Sequence, residues 1–77
     1  MELPDETAKL RRRETAVALQ NAGYPVAERS LATLASRGDG PPFQKFGRIP
    51  LYTWGQALAW ARAKLSAPRS STSDIEG

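Results

Sequence analysis

Four polar side chains are spaced so that a helix would carry most of them on one face. They are Arg29, Ser30, Thr33 and Arg37, and they lie away from the leucines of the same segment. Arginine can donate to O6 and N7 of guanine, and a serine or threonine hydroxyl can bond a base edge or a phosphate. Glu28, just before them, could accept from N4 of cytosine or stabilise the helix start. An ordinary solvated helix face is the alternative, but the surrounding elements favour the reading of duplex DNA.

Two further cations flank a tight turn. Gly47-Arg48 separates 43–46 from 49–52, and a two-residue turn with glycine first is typical of a β-hairpin. Arg48 at the tip, together with Lys45, is placed to reach phosphates or the minor groove. An exposed charge on a plain hairpin is the alternative. We favour the DNA contact, because a two-residue tip leaves Arg48 little else to touch.

Three consecutive arginines, Arg11 to Arg13, precede the first predicted helix. Positive charge beside the positive end of a helix dipole is locally unfavourable. A phosphate bound there would be attracted by both the cluster and the dipole. Arg12 and Arg13 are therefore candidates for phosphate contacts, although a solvated charge run explains them equally well.

The composition argues against an enzyme. The chain has no histidine and no cysteine, so the usual acid–base groups, nucleophiles and metal ligands are missing, and we expect no metal and no cofactor. The three acids between Lys9 and Leu65 are dispersed. Gly38-Asp39-Gly40 runs into two prolines and not into a helix, unlike a phosphate-binding loop.

Length and charge point to one small basic domain. Seventy-seven residues allow a single domain. Lys9 to Leu65 contain ten Lys and Arg residues against three acids, a net charge of +7 within a chain of net charge +3. Such a domain suits a polyanion, although a surface tuned for solubility is an alternative. An acidic N-terminus without an apolar run predicts no signal peptide, and no segment predicts a membrane span. The absence of cysteine fits a reducing compartment, and we expect a cytoplasmic protein.

The chain divides into three parts. Residues 1–8 are predicted to form a flexible N-terminal segment, 9–65 the folded domain and 66–77 a disordered Ser/Thr-rich tail. Apolar spacing predicts helices over about 12–22, 28–36 and 54–65, the first two ended by Gly23 and Gly38. Thr53 and Gln56 have the spacing of a capping box. The sequence predicts a mainly α fold with a small β-hairpin, in the order helix-turn-helix-hairpin-helix, which is a winged helix-turn-helix.

The aromatic side chains are expected to supply much of the core. Phe43, Phe46, Tyr52 and Trp60 are predicted to be buried, because a domain this small needs its aromatics inside. Trp54, next to Thr53, is expected to be partly exposed. In the first helix the predicted buried stripe contains Ala16 and Leu19, with Val17 or Gln20 at its edge. Pro50 removes a backbone donor, so its strand is expected at an edge or paired on one side only.

An ordered series of residues resembles the AlpA/excisionase group, small winged helix-turn-helix proteins related to the DNA-binding domain of MerR regulators. The series covers about 10–65 and comprises Leu10-Arg11-Arg12-Arg13-Glu14-Thr15-Ala16, Leu19, Gly23-Tyr24-Pro25-Val26, Ser30-Leu31, Gly40-Pro41-Pro42-Phe43, Phe46-Gly47-Arg48, Leu51-Tyr52 and Trp60. The chain departs from the group at Ala27, where a Ser or Thr cap is favoured, and at Ala57, where Leu is usual.

The resemblance implies a non-catalytic, architectural DNA-binding protein. Excisionases bind and bend attachment-site DNA and bias a separate integrase toward excision, whereas AlpA-like relatives activate transcription. Partners would be double-stranded DNA, a site-specific integrase and neighbouring copies in a head-to-tail array, with the wing and the third helix as neighbour-facing surfaces. A protein-binding antiactivator of winged-helix shape is a third possibility. It would show an exposed apolar patch and a neutral second helix.

Overall fold

Three helices and a three-stranded antiparallel sheet make up the computed structural model, which describes residues 2–66 and residue 68. In chain order the elements are β1 (Lys9–Arg11), α1 (Arg12–Asn21), α2 (Glu28–Arg37), β2 (Gln44–Phe46), β3 (Ile49–Thr53) and α3 (Trp54–Lys64). The predicted order of two helices, a hairpin and a third helix is confirmed. The sequence does not predict β1, which makes the fold mixed α and β. The predicted tail, apart from Ser66 and Pro68, lies outside the described residues.

The first two helices end where glycine allows the backbone to turn. Gly23 has a φ of 101° and Gly38 a φ of 78°, values that favour glycine because it has no Cβ. Beyond each helix a backbone amide donates back into the last turn, from Tyr24 to the Leu19 carbonyl and from Asp39 to the Leu34 carbonyl. Both ends thus have the hydrogen bond of a Schellman motif, and the predicted helix ends at Gly23 and Gly38 are confirmed.

The sheet has β3 at its centre, between β1 and β2. Lys9–Arg11 pair with Leu51–Thr53, and Gln44–Phe46 pair with Ile49–Leu51. Gly47 alone of the two turn residues has a positive φ, 65°, the pattern of a type II′ turn, which suits the twist of a two-residue hairpin. The hairpin that carries Arg48 is therefore confirmed, and β1 anchors its second strand to the rest of the domain.

Pro50 lies in this central strand and not at a sheet edge, but at this residue the strand pairs on one side only, which is the other expected arrangement. Pro50 pairs with Lys45 of β2, whereas the last pair of β1 is Arg11 with Leu51, so β1 stops one residue short of Pro50. Phe46 and Ile49 form the closing, hydrogen-bonded pair of the hairpin, so the following pair, Lys45 and Pro50, is a non-hydrogen-bonded pair whose N–H positions point away from each other. The N–H that proline lacks would therefore point away from β2 and toward β1. Because β1 stops opposite Leu51, it has no residue paired with Pro50, and no ladder hydrogen bond is lost.

The predicted capping box at the start of α3 is also wrong. Thr53 occupies the N-cap position but makes no side-chain hydrogen bond to the helix. Its Oγ1 lies 3.0 Å from Lys9 Nζ, which donates to it across the β1–β3 pair. Gln56 has no role in the cap.

Backbone carbonyls from the N-terminal segment cap α3 instead. The amide of Trp54 donates to the carbonyl of Ala8 at 2.9 Å, and the amide of Gly55 donates to that of Glu6 at 2.8 Å. A Cβ on Gly55 would lie 3.1 Å from the same Glu6 carbonyl oxygen, so glycine permits this approach. The pairing of β1 with β3 brings residues 6–8 to the helix start, where unpaired amides need acceptors.

The core lies between the three helices and the inner face of β3. Its largest fully buried side chains are Trp54, Tyr52, Leu19, Leu31 and Thr15, and small side chains of α1 and α3 fill the space between them (Ala16, Ala18, Ala57, Ala61). The predicted burial of Ala16, Leu19 and Tyr52 is confirmed.

Three aromatic predictions are wrong. Phe46 is 74% exposed and Phe43 is 36% exposed, so neither is buried as predicted, whereas Trp54 is 2% exposed and not partly exposed. Trp54 opens α3 directly after β3 and points into the core, while Phe46 sits at the end of the outer strand β2, beyond the reach of the helices. Val17 is also exposed, because Thr15 and Ala18 complete the buried stripe of α1. Trp60 is half-buried, and its indole N–H donates to the Asp39 carbonyl at 3.0 Å.

Candidate nucleic-acid interface

Helix α2 buries one side and leaves the predicted polar set in solvent. Leu31 is fully buried against the domain, and α2 packs mainly on α1. All five predicted site residues of this helix are exposed: Glu28, Arg29, Ser30, Thr33 and Arg37. The Thr33 hydroxyl donates to the Arg29 carbonyl at 3.2 Å, which uses its proton and leaves its oxygen lone pairs available as acceptors. This face can offer arginine donors and hydroxyl acceptors to a ligand.

A groove of about 490 Å³ joins three segments that are distant in sequence. It is lined by the junction of β1 and α1, by the start of α2 and by the hairpin tip (Arg11, Arg12, Arg13, Glu14, Glu28, Arg48, Ile49, Pro50). Four arginines against two glutamates give this lining a net charge of +2. We call this surface the basic groove. It brings together four of the predicted site residues, namely Arg12, Arg13, Glu28 and Arg48.

Local backbone geometry sets the positions of Arg48 and Arg11 in the basic groove. Arg48 is the second residue of the two-residue turn and is exposed. Arg11 ends β1 and is the N-cap residue of α1, and its amide donates to Glu14 Oε1 at 2.8 Å. The first turn of α1 therefore meets the groove with the positive end of its dipole. Backbone amides and arginines at one helix start form a favourable setting for a phosphate.

Arg12 differs from its neighbours because it is half-buried. Its Nε donates to the hydroxyl of Tyr52 at 3.0 Å, and its guanidinium carbon lies 5.9 Å from the ring centroids of both Tyr52 and Phe43. Tyr52 is fully buried, so this bond satisfies a hydroxyl that water does not reach. Arg12 thus has a structural role, which the sequence does not reveal because its partners lie 31 and 40 residues later in the chain.

We expect Arg12→Ala and Arg13→Ala to separate stability from binding. Arg12→Ala leaves the Tyr52 hydroxyl unpaired and should lower the free energy of unfolding by about 1–3 kcal/mol. Arg13 is exposed, so Arg13→Ala should change the free energy of unfolding by about 0.5 kcal/mol or less. The same variant should weaken DNA binding equally on all sequences. Chemical denaturation and a gel-shift titration measure the two effects. Equal unfolding midpoints for the two variants would contradict this assignment.

The other predicted site residues lie outside the lining of the basic groove. Lys45 is exposed in β2, and Arg29, Ser30, Thr33 and Arg37 lie along the exposed face of α2. The structure adds four residues to this lining that were not among the predicted site residues, namely Arg11, Glu14, Ile49 and Pro50. Arg11 belongs to a run that the sequence does reveal, whereas Ile49 and Pro50 carry no recognisable signal.

No group of three or more potential metal-ligating side chains occurs within the part of the chain that the structure describes. None of the helices in that part is long and apolar enough to span a membrane. Hydrogen bonds from the Thr7 hydroxyl and amide lower the pKa of the exposed Asp5 carboxyl.

The chain matches no family model, no curated protein and no solved structure.

Proposed function

We propose that this chain is a non-catalytic, winged helix-turn-helix protein that binds duplex DNA. In this proposal α2 enters the major groove and the β2–β3 hairpin acts as the wing. The observation that carries it is the basic groove, in which the start of α2, the arginine run at α1 and the tip arginine share one surface. A single rigid polyanion can contact all three at once.

The exposed face of α2 suits the reading of base edges. Ten residues make a helix about 15 Å long, and the major groove is about 12 Å wide and admits one helix. Recognition helices use their N-terminal residues for base contacts, which here are Glu28, Arg29 and Ser30, followed by Thr33. Arg37 in the last turn would contact a phosphate. Arg48 and Lys45 would hold the backbone or the minor groove beside it.

The resemblance to the AlpA/excisionase group supports a narrower proposal. The protein would bind side by side with further copies at an attachment site, bend it, and bias an integrase toward excision. A small domain reads few bases, so several copies would be needed to find such a site. An AlpA-like transcription regulator would use the same DNA surface. Stimulated excision in a reaction reconstituted with integrase and attachment-site DNA would separate the two roles.

A protein-binding role predicts an exposed apolar patch and a neutral second helix. A separate groove of about 330 Å³ is lined mostly by apolar side chains, including Tyr24, Trp60 and Leu65. The exposed face of α2, however, carries Arg29 and Arg37. The charge on this face favours the DNA proposal.

The test of the proposed function is the effect of α2 variants on sequence preference. Arg29→Ala and Thr33→Ala should each weaken binding to a selected duplex by about 1–3 kcal/mol and weaken binding to random duplex less. Arg13→Ala is the control, because a phosphate contact is lost equally on both duplexes. Competition binding of wild type and variants measures the ratio of the affinity for the selected duplex to the affinity for random duplex. An unchanged ratio in Arg29→Ala would contradict the assignment of α2 as the recognition helix.

A further inference from the structure

Phe46 is the most exposed large apolar side chain among residues 2–66 and 68. At 74% exposure it exceeds Leu65, Val17 and Leu3, and it belongs to a strand with no buried residue. A phenylalanine left in water forgoes the large stabilisation that burial gives an aromatic ring. Its position immediately before Gly47-Arg48 places it at the end of the hairpin, where none of the residues that the structure describes covers it.

The register of the sheet places Phe46 at the rim of the basic groove. Phe46 pairs with Ile49, and directly opposed residues of an antiparallel pair project from the same face. Ile49 lines the basic groove together with Arg48 and Arg11. Leu51, two residues on, shares the face of Ile49 and pairs with Arg11 on the other side. The result is a short apolar strip between two arginines.

The charges around this strip indicate which partner would cover it. A second copy docked through the same strip would bring Arg11 and Arg48 against the same arginines of the copy, and like charges across an interface disfavour binding. A nucleic-acid duplex offers phosphates to the arginines and the faces of bases to the ring. Apolar side chains at such positions act as wedges between base pairs in minor-groove binders.

We propose that Phe46 inserts into a base step beside the phosphate or minor-groove contact of Arg48 and partly unstacks it. This inference rests on the proposed function and adds a source of specificity that needs no hydrogen bond. The inserted ring should favour steps that unstack easily, above all pyrimidine–purine steps such as TA and CA. It would also kink the DNA at the wing, because a wedge opens the step on one side.

The experiment compares two versions of one duplex selected for binding to the full chain, one fully paired and one with a single mismatch in the step facing the wing. A mismatch lowers the cost of unstacking in advance, so wild type should bind the mismatched duplex about tenfold more tightly. Phe46→Ala should bind both equally, and Phe46→Leu should keep part of the preference. Leu65→Ala is the matched control, since Leu65 is 69% exposed at the end of α3 and should leave the preference unchanged. A 2-aminopurine base in the paired step should brighten with wild type and not with Phe46→Ala.

The outcomes are distinguishable from a failure of the proposed function. Wild type that binds duplex in a salt-dependent way but shows no mismatch preference and no 2-aminopurine signal overturns the wedge alone. A Phe46→Ala protein that keeps the mismatch preference and the 2-aminopurine signal also overturns the wedge. If that protein loses only cooperativity between copies, Phe46 contacts a neighbouring copy and not the DNA. Absence of binding to any duplex overturns the proposed function and the wedge together.

Discussion

Trp54→Ala should lower the free energy of unfolding by about 3–5 kcal/mol, the cost of emptying a large site in a close-packed core. Trp54 is 2% exposed and packs with Ala18, Leu19, Ala57 and Ala61. A domain of this size has a total stability of about 4–12 kcal/mol, so the variant should lose a large share of it. Urea denaturation followed by circular dichroism measures the change, and Trp54→Phe provides a milder variant that stays folded.

Trp60→Ala is the matched control for this prediction. Trp60 is half-buried, and its indole N–H donates one hydrogen bond to the Asp39 carbonyl. The centroid of its ring lies 5.8 Å from Lys64 Nζ. We expect a loss of about 1–3 kcal/mol, because less apolar area and one hydrogen bond are removed. A larger loss for Trp60→Ala than for Trp54→Ala would contradict the assignment of the core.

The second large effect is the dependence of DNA affinity on salt. Four basic side chains of the candidate interface are assigned to phosphates: Arg13, Arg37, Lys45 and Arg48. If each neutralises one phosphate, affinity should fall about 150-fold between about 50 and about 200 mM salt, with a slope of log K against log salt of about −3.6. Fluorescence anisotropy on a labelled duplex measures the slope.

Single variants give this prediction its control. Arg48→Ala should reduce the magnitude of the slope by about one, because one phosphate contact is lost. Arg62→Ala removes an equal charge from the exposed surface of α3, outside the candidate interface, and should leave the slope unchanged. A salt-independent affinity, or equal slopes for the two variants, would rule out the proposed contacts.

The parts of the fold that sequence predicts are those set by nearby residues. Gly23 and Gly38 end their helices because the chain must turn there with positive φ, and the two-residue turn at Gly47 defines the hairpin. The exposed face of α2 follows from helical spacing alone. These features need no knowledge of distant contacts.

The features that sequence misses depend on residues far apart in the chain. β1 has only three residues, too few for a periodic pattern, and forms because it pairs with Leu51–Thr53. The α3 cap comes from Glu6 and Ala8, so the Thr53 spacing is uninformative. Trp54 is buried and Phe46 is exposed, the reverse of the expectation, because burial depends on which side of the sheet the helices cover.

The candidate site divides in the same way. The type and position of Arg48 and Arg13 can be read from the sequence, since each lies in a locally defined turn or helix start. The half-buried state of Arg12 cannot, because it depends on Tyr52 and Phe43. Nor does the sequence show that Glu28 and Arg48 line one groove.

The most direct test of the central claim is a chemical-shift titration of the isotope-labelled chain with a duplex. The claim is that α2, the arginine run and the hairpin tip contact one DNA molecule. Amide signals from 11–13, 28–37 and 45–49 should move together with a single affinity, while those of Tyr24 and of 62–65 should stay in place. Shifts confined to Tyr24 and the end of α3, or the absence of any shift at low salt, would contradict it.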